Sequence, residues 1–280
     1  MNPPRLTVHH SGLFLLTLAL VHAGLSPVHS ADPQQAAERA AALLKQVGVN
    51  RGLCVAVGQE LEVVLELVQS SDLLVLVREP NAKARARLQQ AADEAGLGID
   101  RLVIQAGDAT QLPYADRLID AVITATPKLG DKEAMRVLRP EGALIRTDGK
   151  QLATRRRPPQ KGAADWSHWE HGPDNNPVST DSVIKAPYMT QFMAMPYYIG
   201  MPSVTTAAGG RTFLAIGHIA HHRREWKMLN KLIARNGFNG TILWQKSLPE
   251  GYLVHRSAFV ATRDTFYMIN GPGCQRIHPQ

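Results

Sequence analysis

Apolar and polar positions change rhythm along the chain, and the first rhythm is the clearer one. From residue 32 onward, Ala36, Ala40, Leu43, Leu44 and Val47 recur at helical spacing. Asp32-Pro33 supplies a capping carboxylate and a first-turn proline, and Gly48 ends the run. Leu53–Val57, Leu73–Val77, Leu102–Ala106 and Ala121–Ala125 are short, nearly continuous apolar runs. Such runs predict strands of a parallel sheet covered on both faces. Between them lie helical stripes: Leu61, Val64, Leu65 and Val68, then Leu88, Ala91, Ala92 and Ala95, then a short helix over 131–138. A further strand is expected from Gly142, after a turn at Pro140-Glu141-Gly142.

Strands alternating with helices predict βαβ units, hence an α/β, Rossmann-like, doubly wound and mostly parallel sheet over residues 32–150. Ligands of such sheets bind beyond the carboxyl ends of the strands, where the strand order reverses. The loops after Val57, Val77 and Ala106 are therefore the candidate sites of chemistry.

The second rhythm begins after residues 151–165, where Thr154–Gly162 gathers prolines and the Arg155-Arg156-Arg157 run and reads as a linker. Val204–Ala208 and Arg211–Ile216 flank a Gly209-Gly210 turn. Asn239-Gly240 precedes Thr241–Trp244, and Ser257–Ala261 is separated from Thr265–Ile269 by another turn. Short strands with turns between them predict an all-β segment of antiparallel sheets over 166–280.

The amino terminus departs from both rhythms. Arg5 and the apolar run Gly12–Val21 have the form of a signal peptide, with small or apolar residues from Pro27 to Ala31 and cleavage expected near Ser30. The run falls short of the about 20 apolar residues that span a bilayer, so no stable membrane span is expected. This places the mature chain in the periplasm or outside the cell, with an uncleaved anchor as the alternative.

Composition adds exclusions. The 280 residues, 44% hydrophobic and 20% charged, suit an ordinary globular chain of up to two domains. The formal charge of +7 is scattered apart from Arg155–Arg157 and His221-His222-Arg223-Arg224, and no basic stripe with interleaved aromatics accompanies it. Nucleic acid is therefore not the expected partner. Of the two cysteines, Cys54 lies in an apolar strand, where a thiol acts as a small hydrophobe, and one possible pair is no disulfide framework.

Two stretches of the first domain carry a family resemblance. Gly107–Asp116 followed by Leu118–Ile123, and Met135–Leu144 with its Arg-Val-Leu-Arg-Pro-Glu-Gly core, resemble consecutive segments of class I S-adenosylmethionine-dependent methyltransferases. The resemblance implies that Asp108, with the backbone of Ala109 beside it, lies at the adenine of S-adenosylmethionine. It implies that Glu79 accepts hydrogen bonds from the ribose hydroxyls, a task suited to an acceptor-only group that engages two donors. Gly58 would let the cofactor approach the backbone. The loop Val57-Gly58-Gln59-Glu60 departs from the family's pattern, with a single glycine and a carboxylate where the cofactor's own carboxylate would lie. No nucleophile or general base is evident, so the catalytic residues are unassigned. Methyl transfer often needs little beyond positioning.

The unit Gly209-Gly-Arg-Thr-Phe213 with Asn239-Gly-Thr-Ile-Leu-Trp244 resembles the repeat of pyrroloquinoline-quinone-type β-propellers. Trp166-Ser-His-Trp-Glu-His171 resembles the junction in exported bacterial proteins, notably planctomycete ones, that join a methyltransferase-like domain to such a propeller. A closed propeller needs about 4–8 four-stranded blades, so a partial propeller is expected here, in a chain that reads as a fragment or an early-terminated gene model. His168, His171, His218, His221, His222 and His255 are read as loop and turn contacts, not metal ligands, and Trp166, Trp169 and Trp244 as blade packing.

Two functions follow as expectations: an exported methyltransferase-like protein using S-adenosylmethionine, or a non-catalytic envelope protein whose β segment binds a protein or polysaccharide. Quinone-dependent oxidation is disfavoured, since no calcium or quinone ligands are recognisable.

Overall fold

A computed structural model describes residues 32–149, 151–187, 189–197, 200–257 and 259–279. The expected signal peptide, with its cleavage point near Ser30, lies outside them.

Helix α1, Pro33–Val47, starts where Asp32 accepts a hydrogen bond from the Gln34 amide at 3.2 Å, and it stops at the left-handed Gly48. It is followed by β1 (Arg51–Val57), α2 (Leu61–Gln69), β2 (Asp72–Glu79), α3 (Ala82–Glu94), β3 (Leu102–Ala106), β4 (Ile119–Thr124), α4 (Asp131–Val137), β5 (Leu138–Asp148) and β6 (Gln151–Arg156). The strands form one sheet in the order β3-β2-β1-β4-β5-β6, parallel up to β5, with β6 antiparallel to it. The strand order reverses between β1 and β4, as in an open doubly wound sheet.

Alternation along the strands explains the layers. Cys54, Ala56, Val75, Ala121 and Ile123 point to the face covered by α1, α2 and α3, whose Ala36, Leu43, Val64, Leu67 and Leu88 pack on them. Val55, Val57, Leu76 and Val122 point the other way, toward Ala134 and Val137 of α4 and the loop residues Ala109 and Leu112. Cys54 is fully buried and unbonded, its thiol pushed up to about 12 by burial and by the nearby Asp120 carboxylate. It is an inert filler of the core, as expected.

Two boundaries differ from the sequence reading. The sheet continues through Gln151–Arg156, which had the texture of a linker. Its arginines and the Arg157 that follows are engaged there: Arg155 pairs with Asp131 at 2.8 Å, Arg156 caps the carbonyls of Gln46 (2.9 Å) and Glu141 (3.1 Å), and Arg157 reaches Arg136 O at 3.0 Å and Leu138 O. The expected turn at residues 140–142 lies within β5. Its left-handed Glu141 (φ 66°) accompanies a register shift against β4.

The all-β segment holds β7 (Met201–Ala208), β8 (Arg211–Ile219), a short 3-10 helix (Arg223–Met228), β9 (Lys231–Asn236), β10 (Ile242–Ser247), β11 (Phe259–Ala261), β12 (Phe266–Asn270) and β13 (Gly273–Ile277). These make a four-stranded meander, β10-β9-β8-β7, and a three-stranded one, β11-β12-β13. The β7–β8 hairpin turns at Gly209 (φ 58°) and Gly210 (φ 73°), both left-handed as a two-residue turn of this type requires. The two sheets share one core in which Phe213 and Phe266 lie 4.9 Å apart, with Trp244 tilted 6.1 Å from Phe213. Trp166 exchanges two 2.7 Å backbone bonds with Ala207 of β7, and Ser167 O accepts from Ala261 of β11 at 2.9 Å. The tryptophan-rich segment thus ties the two sheets together.

Asp120, near the start of β4, joins the all-β segment to the parallel sheet. Its carboxylate accepts from Leu53 N (2.9 Å), Asn236 Nδ2 (2.8 Å), Asn239 Nδ2 (2.8 Å) and the guanidinium of Arg139. Among the described residues, no helix is long and apolar enough to cross a membrane.

Candidate functional site

The strand register places the expected residues on one edge. Val57 pairs with Arg78 and Thr124, and Glu79 pairs with Ala106, so the chain leaves β1, β2, β3 and β4 side by side. Gly58 follows β1, Glu79 ends β2, and Gly107-Asp108-Ala109 follow β3. Gly58 sits beside the reversal point between β1 and β4, with φ 65°, a conformation that favours glycine.

Each carboxylate has a defined local role. Glu79 is half-buried, and its Oε1 accepts from the Asn81 amide at 2.8 Å, while Asn81 in turn caps α3 through the amides of Lys83 and Ala84. Asp108 is exposed, and its Oδ1 accepts from Thr110 N (2.9 Å) and Thr110 Oγ1 (2.7 Å). The Thr110 hydroxyl, then its amide, hold the Asp108 carboxyl below the usual range, and the charge of Arg78 adds to this. Asp108 is therefore an ionised acceptor at neutral pH. Ala109 is buried against the sheet, which holds its backbone beside Asp108.

Glu60 is paired. Its carboxylate forms an ion pair with Arg39 of α1 at 2.7 Å, although it stands at the start of α2. The charge that would oppose a bound carboxylate is thus matched by a guanidinium from a neighbouring helix.

Three residues of this edge carried little signal in the sequence. Arg78 closes over Gly107 so tightly that any Cβ there would overlap its guanidinium. A cation ending an apolar strand was the available clue. Gln59 donates to Thr147 Oγ1 at 3.3 Å, whereas its Oε1 is buried without a partner. Tyr114 donates to Gln105 Oε1 at 2.9 Å and is pushed up to about 12 by burial, so it remains a protonated donor.

Among the described residues, the histidines do not assemble into a centre. His168 and His171 pair through the backbone, with His171 against Trp166 at 5.2 Å. Among the described residues no group of three or more His, Cys, Asp or Glu is placed to hold a metal ion.

No protein-family model matches the chain, and no curated protein matches it. Solved structures resemble part of it. A protein assigned as an S-adenosyl-L-methionine-dependent methyltransferase from Methanococcus maripaludis is 19% identical, with 40% of this chain and 55% of that one covered at a TM-score of 0.37. One assigned as a sarcosine dimethylglycine methyltransferase from Galdieria sulphuraria is 21% identical over 41% of this chain and 47% of that one, with the same TM-score. The [4+2]-cyclase SpnF is 22% identical over 40% and 44%, at 0.37. The chain spans about half the length of these structures.

Proposed function

We propose that residues 32–156 form a methyltransferase-like module that takes S-adenosylmethionine along the carboxyl edge of its sheet. The observation carrying this reading is the register that sets Gly58, Glu79 and Asp108 in one row beside the β1–β4 reversal point. The donor set suits the ligand. Gln59 Oε1, a buried acceptor without a partner, complements the ammonium of the methionine tail. Glu79 suits the two ribose hydroxyls, and Asp108 with the Ala109 backbone suits the adenine amino edge. When bound, the cofactor supplies an electrophilic methyl group on a sulfonium. The residues of this edge bind and orient it, and methyl transfer is the reaction that positioning of this kind supports.

Calorimetric titration of the full chain checks the reading. Micromolar binding of S-adenosylmethionine is expected, weakened about tenfold or more by Glu79→Ala or Asp108→Ala through loss of a charged acceptor. Folded protein that gives no heat with millimolar cofactor would overturn it.

A non-catalytic envelope protein is the second reading, favoured by the engagement of Glu79 with Asn81 and of Asp108 with Thr110. Cofactor binding without release of S-adenosylhomocysteine across a panel of acceptors would select it. The two antiparallel meanders, packed through Phe213, Trp244 and Phe266, suit blades of a partial propeller, the part expected to meet a protein or polysaccharide. Export belongs to the same proposal. Edman sequencing of the product from a secreting host is expected to begin at Ala31, and a chain retained with Met1 in the cytoplasm would exclude it.

A further inference from the structure

A cavity lies at the opposite edge of the parallel sheet, where β1, β2 and β4 begin and the β7–β8 hairpin approaches them. Its volume is about 630 Å³, within the range of small-molecule sites. Four arginines line it, Arg51, Arg139, Arg156 and Arg211. So do three carboxylates, Asp72, Asp120 and Glu141.

These charges do not cancel. Arg51 is matched by Asp72 at 2.8 Å, Arg139 by Asp120, and Glu141 by Arg263, which comes from outside the lining. Among the described residues, Arg156 and Arg211 have no carboxylate within ion-pair distance. Arg156 donates to the carbonyls of Gln46 and Glu141. Arg211 reaches the carbonyl of Arg263, and its Nε is buried without a partner. Burial lowers the pKa of Arg211, and the neighbouring cations Arg139 and Arg263 lower it further, outweighing Asp264 and Glu141. Two guanidinium charges thus face a concave space with no counter-charge of their own. Left-handed Gly48 and Gly209 stand where a Cβ would crowd the Arg156 and Arg211 guanidinium groups, so the backbone leaves room for both side chains along the wall.

We infer that this cavity binds a phosphate dianion, free or as the head of a small phosphate ester, between Arg156 and Arg211. Guanidinium forks match phosphate oxygens in geometry, and the two unmatched charges equal that of one dianion. The cavity is larger than the ion alone, and Leu243 offers an apolar wall for an organic remainder. The site is separate from the proposed cofactor edge, so its ligand is tested without cofactor.

The experiment titrates the full chain with inorganic phosphate and with glucose 6-phosphate, following heat and 31P line width at constant ionic strength. Wild type is expected to bind in the micromolar to low-millimolar range, and Arg211→Gln and Arg156→Gln are each expected to weaken binding about tenfold. Asp72→Asn frees the charge of Arg51 and is expected to strengthen binding, a gain that loss of structure would not produce. Tighter binding of glucose 6-phosphate would identify an ester as the ligand class, and equal or weaker binding would identify the free ion. Absence of binding by folded wild type, or unchanged affinity in both arginine variants, would overturn the inference.

Discussion

Asp120→Ala is expected to lower the unfolding free energy by about 3–5 kcal/mol, because it leaves a partly buried guanidinium and several buried donors without their acceptor. The carboxylate is 1% exposed and takes bonds from both parts of the molecule. Leu53 N and Arg139 belong to the parallel sheet, while Asn236 ends β9 and Asn239 lies in the β9–β10 turn. Gly52 stands where a Cβ would strike the carboxylate, so the strand itself makes room for it. Replacing aspartate by alanine exposes no compensating group: Arg139 keeps only the Pro140 carbonyl at 2.9 Å, and Asn239 keeps Leu118 O at 3.0 Å. Urea denaturation followed by tryptophan fluorescence and by far-ultraviolet circular dichroism reads both consequences. Every tryptophan lies at or beyond residue 166, whereas the helices α1–α4 lie before it, so the two probes report different parts. Coincident transitions in the wild type that separate in the variant would show Asp120 coupling the parts. A loss below about 1 kcal/mol, the scale of an ordinary hydrogen bond, would show that it does not.

The parallel sheet was legible because its strands are buried on both faces and its helices on one, and each condition writes a distinct period into the sequence. The pieces that were not legible share a different physics. Strand β6 has an exposed face, and its arginines are held by carbonyls and by Asp131, partners that no local pattern reveals. Strand β9 reads Lys-Leu-Ile-Ala-Arg-Asn, with only three apolar residues between charged or polar ends, and β13 exposes four of its five residues. Both exist by pairing with a neighbour already in place. At the candidate site, Gly58, Glu79 and Asp108 were named from sequence and the register brings them to one edge. The Glu60–Arg39 pair spans two helices, and the orphaned Gln59 oxygen depends on burial, so neither could be read from the chain. The arginine cavity joins residues from 48 to 243, a constellation that only the docking of the all-β segment creates.

That docking depends on the all-β segment having its own core, and Phe266→Ala is expected to cost it about 3–5 kcal/mol, the range for an aromatic truncated in a packed interior. Phe266 is fully buried between Phe213 of the four-stranded sheet at 4.9 Å and Phe259 at 5.3 Å. Its ring fills the space between two small sheets, each of which needs a hydrophobic face to pack. Phe266→Leu keeps most of the volume and loses the ring contacts, so its cost should be clearly smaller. The ordering Leu then Ala in falling melting temperature would confirm that the sheets are joined through packing. Equal melting temperatures for wild type and Phe266→Ala would mean that the three-stranded sheet is not part of the cooperative unit. In that case the four-stranded sheet carrying Arg211 would still be tied to the parallel sheet where Asn236 and Asn239 donate to Asp120. Phosphate affinity measured in the same variant would then separate a site built by the four-stranded sheet from one that needs both.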